Sequence, residues 1–280
     1  MLKPKPVFIA IAAAGVAAGV LRGIMLSTVF DKTTGVAEPN HPLTWTLIGL
    51  AVLTAVAALF TRLDVAAPVR GKGIVTPWVL LACVALGVSA IVDFADMTGG
   101  GATFTQFILA ALGLLSAALV MLLVTSKNAQ KLTLGLFATV PIFWSCFWFL
   151  LLFARNSSNP VILGYIFEFL AVLFTVGSCY ALAGFYFGLV KTQMLGLFVS
   201  LGIFFSLTSM ISPIAAWIIA PETSMLEGVT PAGMLRMAFA LMYMIAIPTM
   251  ARAAVDMPEN SPEDPEDKKE EGENAEDQAV

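Results

Sequence analysis

The chain has 280 residues, 59% of them hydrophobic and only 12% charged, with a formal net charge of −4. Its mean hydropathy is +0.88. Soluble domains carry about a quarter of their residues charged, so water is not the main solvent of this protein.

A helix needs about 20 consecutive apolar residues to cross a bilayer. Eight such stretches follow one another, at 7–30, 43–61, 75–95, 103–125, 132–154, 160–189, 193–220 and 231–254. None alternates in character at every second residue, as the strands of a membrane barrel do. The expected fold is all-α: a polytopic transmembrane helical bundle of eight spans over 1–255, with the lipid bilayer as its surroundings.

The first span opens with Lys3 and Lys5 ahead of "VFIAIAAAGVAAGV", which has the form of a signal peptide. The apolar run continues past Arg22 through "GIMLSTVF", too long for a signal core, so it is expected to remain as a span. Gly15, Gly19 and Gly23 form a G-x-x-x-G-x-x-x-G stripe on one arc of this helix, and Arg22 shares the arc. Such a stripe admits a close helical neighbour, so Arg22 is expected to face protein. Next comes a polar, turn-rich loop, 31–42, holding the lone histidine, His41. The third span ends in Asp93 and Asp96.

The fifth and seventh spans echo each other. "LGLFATVPIFWS" at 134–145 aligns with "LGLFVSLGIFFS" at 195–206, and Pro141 falls opposite Gly202. "SLTSMISP" follows in the seventh span and ends at Pro213. Paired weak points at corresponding places are how many transporters build midplane sites from broken helices, so Pro141, Gly202 and Pro213 are candidate helix interruptions. Serines beside a proline also commonly recapture freed backbone groups.

The sixth span carries Glu168 inside "GYIFEFLAVL". A charge near the centre of a membrane helix costs about 2.5–3.5 kcal/mol on insertion scales, and usually faces the bundle interior beside a partner. At about 100° per residue, Gly164, Ala171, Val172, Thr175, Cys179, Leu182 and Tyr186 share the face of Glu168, while the bulky Leu170, Leu173 and Phe174 lie opposite. Glu168 is therefore expected to look inward. The helical rise puts Glu168 and Arg22 each about 12 Å below the outer boundary and Arg236, in the last span, about 8 Å below it. Glu168, Arg22, Arg236 and Asp93 form a candidate intramembrane charge cluster, with an ion pair expected from Glu168 to Arg22 or, failing that, to Arg236.

The bias of loop cations sets orientation. Lys3, Lys5, Arg62, Arg70, Lys72, Lys127, Lys131, Lys191 and Arg252 fall on one side, against Lys32 and Arg155 on the other. Both termini are accordingly expected in the cytoplasm of a cell bearing this protein in its plasma membrane. Trp45, Trp78 and Trp217 fall near span ends, where amphipathic rings favour the interface. Residues 256–280 hold eleven acidic residues and three prolines with no apolar period, so they read as a disordered acidic tail that offers a surface to a basic protein partner.

Several chemistries find no support. Cys83, Cys146 and Cys179 lie in separate spans without a C-x-x-C, so neither a disulfide framework nor a metal site is expected, and no cofactor is implied. No H-E-x-x-H or G-x-S-x-G occurs, no histidine lies within a span, and no catalytic residue is assigned. The absence of a basic, aromatic-interleaved patch argues against nucleic acid. Nothing in the pattern fixes an oligomeric state.

Arg22, "FDKTTG" (30–35), Arg155, "SSNP" (157–160), Glu168 and "YALAGFYFG" (180–188) together resemble a family of uncharacterised multi-pass membrane proteins of Gram-positive bacteria. The resemblance implies an eight-helix bacterial membrane protein and supplies no activity. Inward charges and paired interruptions favour a small-molecule or ion transporter, or the membrane subunit of one. The alternative is a non-transporting sensor, accessory or assembly protein that uses the 31–42 loop and the tail as contact surfaces.

Overall fold

The structure, a computed structural model, describes residues 4–29, 41–61, 77–98, 103–126, 131–157, 162–220 and 230–255. The acidic tail, nearly all of the 31–42 loop and most of the loop cations lie outside the described residues. The elements are α1 (Pro4–Thr28), α2 (Pro42–Leu59), α3 (Pro77–Thr98), α4 (Phe104–Thr125), α5 (Lys131–Asn156), α6 (Ile162–Tyr186), α7 (Thr192–Ile219) and α8 (Pro231–Val255). All eight are long and apolar enough to span a membrane, and no strand occurs among the described residues. The chain is a multi-pass integral membrane protein.

Local chemistry sets the helix ends. His41 caps α2 by accepting from Leu43 N at 3.3 Å, and Pro42 follows as a first helical residue that needs no N–H partner. Thr230 and Pro231 repeat the device at α8, where Thr230 Oγ1 accepts from Gly233 N at 3.1 Å. α4 starts at Thr103, whose backbone N donates to Gln106 Oε1 at 2.9 Å. α6 stops at Gly188, which has a φ of +72°. Leu189 N bonds back to Gly184 O at 2.8 Å and Gly188 N to Phe185 O at 3.0 Å, a Schellman closure that leads straight into α7.

α7 is the most enclosed of the eight helices. It packs on α1, α6 and α8, while α2 lies outside against α1 and α7. α3 leans on α8 and α4, and α5 joins α4 to α6. The α1–α7 seam follows the glycine stripe. A Cβ on Gly15 would meet Phe204 O at 3.0 Å, one on Gly19 would meet Ile211 Cβ at 2.7 Å, and one on Gly23 would meet Ser212 O at 2.9 Å. Only glycine lets these two backbones approach so closely. Thr208 Oγ1 bonds across the seam to Gly15 O at 3.3 Å.

The echoing stretches of α5 and α7 bury equivalent positions: Leu134 with Leu195, Ala138 with Val199, Pro141 with Gly202, and Ser145 with Ser206. The expected interruptions do not occur. α5 runs unbroken through Pro141, and α7 through Gly202 and Pro213. A proline removes one backbone donor and leaves the remaining ladder of a long membrane helix intact. Gly202 serves packing instead, since a Cβ there would run into the Met244 sulfur of α8. Pro248 in α8 is a further intrahelical proline.

Exposed Trp45, Trp78 and Trp217 stand near the ends of their helices, as an interfacial belt requires.

Candidate functional site

The inward face read for α6 is the buried one. Ala171, Val172, Thr175, Cys179 and Leu182 are each fully enclosed, whereas Leu173 on the opposite side is exposed. Glu168 thus points into the bundle, among α4, α5, α7 and α8.

What it meets there is a cavity of about 250 Å³. Its wall takes Thr103, Thr105 and Gln106 from α4 and its cap, and Trp148, Leu152 and Arg155 from α5. Ser209, Met210 and Pro213 come from α7, and Thr230, Gly233, Arg236 and Met237 from α8 and its cap. The cavity gathers the starts of α4, α6 and α8 together with the C-terminal parts of α5 and α7. Neighbouring helices in this group therefore run in opposite directions. The cavity lies toward the face where α3, α5 and α7 end and α4, α6 and α8 begin, the far face. The exposed Thr103, Thr105, Gln106, Arg155 and Thr230 form its mouth.

Its floor is aromatic. Trp148 packs on Trp144 with ring centroids 5.2 Å apart, Trp144 meets Phe239 edge-on at 5.1 Å, and Phe239 stacks on Tyr243 at 5.3 Å. Trp144, Phe239 and Tyr243 are almost wholly buried, and Gly113 of α4 makes room for the Trp144 indole. Below them Cys179 is fully enclosed, and Tyr186 Oη donates to Met250 O at 3.3 Å. The cavity is therefore blind, stopped by close-packed rings before the near face.

The charge cluster assembles, but not in the expected pairs. Arg236 Nη1 bonds Asp93 Oδ2 at 3.3 Å, joining α8 to α3. Arg22 Nη1 donates to Ser212 Oγ at 3.0 Å, and its guanidinium lies 4.9 Å from the centre of the Phe167 ring. Glu168 has no cationic nitrogen of a described residue within 4.0 Å and makes no hydrogen bond to one. Arg22, Arg155 and Arg236 act on it through space instead. The reason the Arg22 pairing fails is angular. Phe167 and Glu168 are successive residues about 100° apart on α6. Arg22 follows the seam to the Phe167 side, and Glu168 faces the cavity. Arg236 meets Asp93 first because α3 packs directly on α8. Asp93 stands behind Arg236, outside the cavity lining.

Two contributors were not legible as site residues. Arg155 reads from sequence as a loop cation, yet it closes the last turn of α5 beside the cavity. Ser209 reads as kink chemistry, yet it lines the cavity, and its hydroxyl bonds no described residue. Pro213, one turn on, has no N–H to give to the Ser209 carbonyl. The spacing of Ser209 and Pro213 at i and i+4 was the available signal, since it sets both on one helix face. Among the described residues no group of His, Cys, Asp and Glu is placed to hold a metal ion.

No protein-family model matches the chain, and no curated protein or solved structure matches it.

Proposed function

We propose that the protein is a small-solute transporter, or the membrane subunit of one, whose binding site is the cavity between α4 and α8. The single observation that carries this reading is that Glu168, an intramembrane carboxylate, fronts an amphipathic cavity rather than being closed in an ion pair. A buried charge kept only for structure finds its counter-charge in contact. Here the counter-charges surround a space large enough to take a solute. With no nucleotide-binding motif in the chain, energy comes from a gradient or a partner protein. The charge bias of the loops supports the far face as the external one.

The blind floor favours a second reading, a one-sided receptor or accessory protein that binds at the far face and moves nothing across. Labelling with a membrane-impermeant thiol reagent separates the two. In a protein with its three cysteines replaced, Ser209→Cys is expected to react from the far face only. Native Cys179, kept alone, lies beneath the aromatic floor and reports on the other side. A transporter exposes it from the near face in part of the population under a solute or ion gradient. Protection of Cys179 under every gradient tried, with Ser209→Cys still reactive, leaves the receptor reading and removes transport. An unreactive Ser209→Cys removes both.

A further inference from the structure

Resting on the reading of the cavity as a solute site, we propose that its ligand is a small zwitterion bearing an ammonium, a carboxylate and an apolar side group, as in a free aliphatic or aromatic amino acid. Both signs of charge face one small space. Glu168 supplies an acceptor that no described cation closes. Arg236 lines the same space and commits to Asp93 one of its five N–H donors, while its Nε meets no acceptor among the described residues. Arg155 adds a second positive charge at the mouth.

A simple anion drawn to Arg236 and Arg155 would have to sit beside the Glu168 carboxylate. A simple cation drawn to Glu168 would face two guanidinium groups. A ligand carrying both charges satisfies both ends at once, and each charge-assisted contact is among the strong ones in a site of low dielectric. Ser209 adds a further polar residue to the lining. Thr103, Thr105, Gln106 and Thr230 keep the mouth polar, while the apolar part of the wall is Trp148, Leu152, Leu109, Met210 and Met237. That apolar surface suits a hydrocarbon or ring side group. Size agrees, since about 250 Å³ lies below the roughly 300–1,000 Å³ of sites for drug-sized ligands.

The test is equilibrium binding of radiolabelled L-leucine to the purified full chain in lipid nanodiscs. L-phenylalanine, 4-methylpentanoate (carboxylate only) and 3-methylbutylamine (ammonium only) serve as competitors. L-Phenylalanine is expected to displace leucine, and each single-ended analogue to compete at least about 10-fold more weakly. Glu168→Gln should weaken leucine by about 10-fold or more while leaving 4-methylpentanoate no weaker. Arg155→Gln should do the converse, sparing 3-methylbutylamine. Melting temperatures of both variants check that they fold. If 4-methylpentanoate matches leucine and tightens in Glu168→Gln, the site takes anions and the proposal falls. If 3-methylbutylamine matches leucine, the site takes cations and it falls likewise. No binding of any probe, with Ser209→Cys reactive from the far face, overturns the ligand class and leaves the cavity reading standing. An unreactive Ser209→Cys overturns both.

Discussion

The two flanks of α7 treat intramembrane charge in opposite ways. Toward α1 the helices close on a glycine seam, and Arg22, the charge buried there among the described residues, is only 4% exposed. A serine hydroxyl and an aromatic face enclose its guanidinium. Toward α5 and α8, Ser209, Met210 and Pro213 border a cavity, and Glu168, Arg155 and Arg236 look into it. The first flank stabilises a cation by dry contact, with the hydrogen bond and the ring compensating for lost hydration. The second leaves charge facing space. The contrast teaches that depth in the membrane does not decide the fate of a charge. What decides it is whether small residues let the neighbouring backbones close over it.

This contrast can be broken most forcefully at the seam. Gly19→Leu places a side chain where Ile211 already stands, and should cost about 3 kcal/mol or more in detergent unfolding. Gly49→Leu, with open space around its position, is the control and should change almost nothing. If the two variants melt alike, the seam is not close-packed. Next in size is the ion pair. Asp93→Asn leaves Arg236 without its counter-charge and should cost about 2–3 kcal/mol, partly recovered when Arg236→Gln is added. Strict additivity in that double-mutant cycle would mean the two do not interact. Ser212→Ala removes one acceptor of Arg22 and should cost about 1–2 kcal/mol, with Ser212→Thr restoring most of it. The smallest expected effect sharpens the comparison best. Glu168→Gln should shift stability by less than about 1 kcal/mol, because no contact pair is lost. A loss as large as that of Asp93→Asn would show the carboxylate to be a structural counter-ion after all.

The eight spans were legible because lipid demands an unbroken apolar run for each crossing, and that demand is local. The glycine stripe of α1 was legible as a contact surface for the same reason: its period alone puts Gly15, Gly19 and Gly23 on one arc. The inward turn of Glu168 followed from the period of α6. What period cannot carry is identity of the neighbour. Nothing local in α1 says that α7 lies against it, and nothing in α8 says that Asp93 of α3 will reach Arg236 before Glu168 does. Sequence depth put Arg22 and Glu168 level with each other, yet Arg22 docks on Phe167, about 100° round α6 from Glu168, an outcome that depends on where α1 docks.

By itself, then, the sequence determined a helical membrane bundle, the spans that compose it, and which side chains had to avoid lipid. Hydrophobic length and helical period are properties of each segment alone, so one segment suffices to read them. The tertiary structure alone decided that Arg22 is sealed, that Arg236 pairs with Asp93, and that Glu168 opens onto a cavity with Arg155 and Ser209. Those outcomes are set by how seven other helices pack around each one, and packing is a property of the whole assembly that no single stretch encodes.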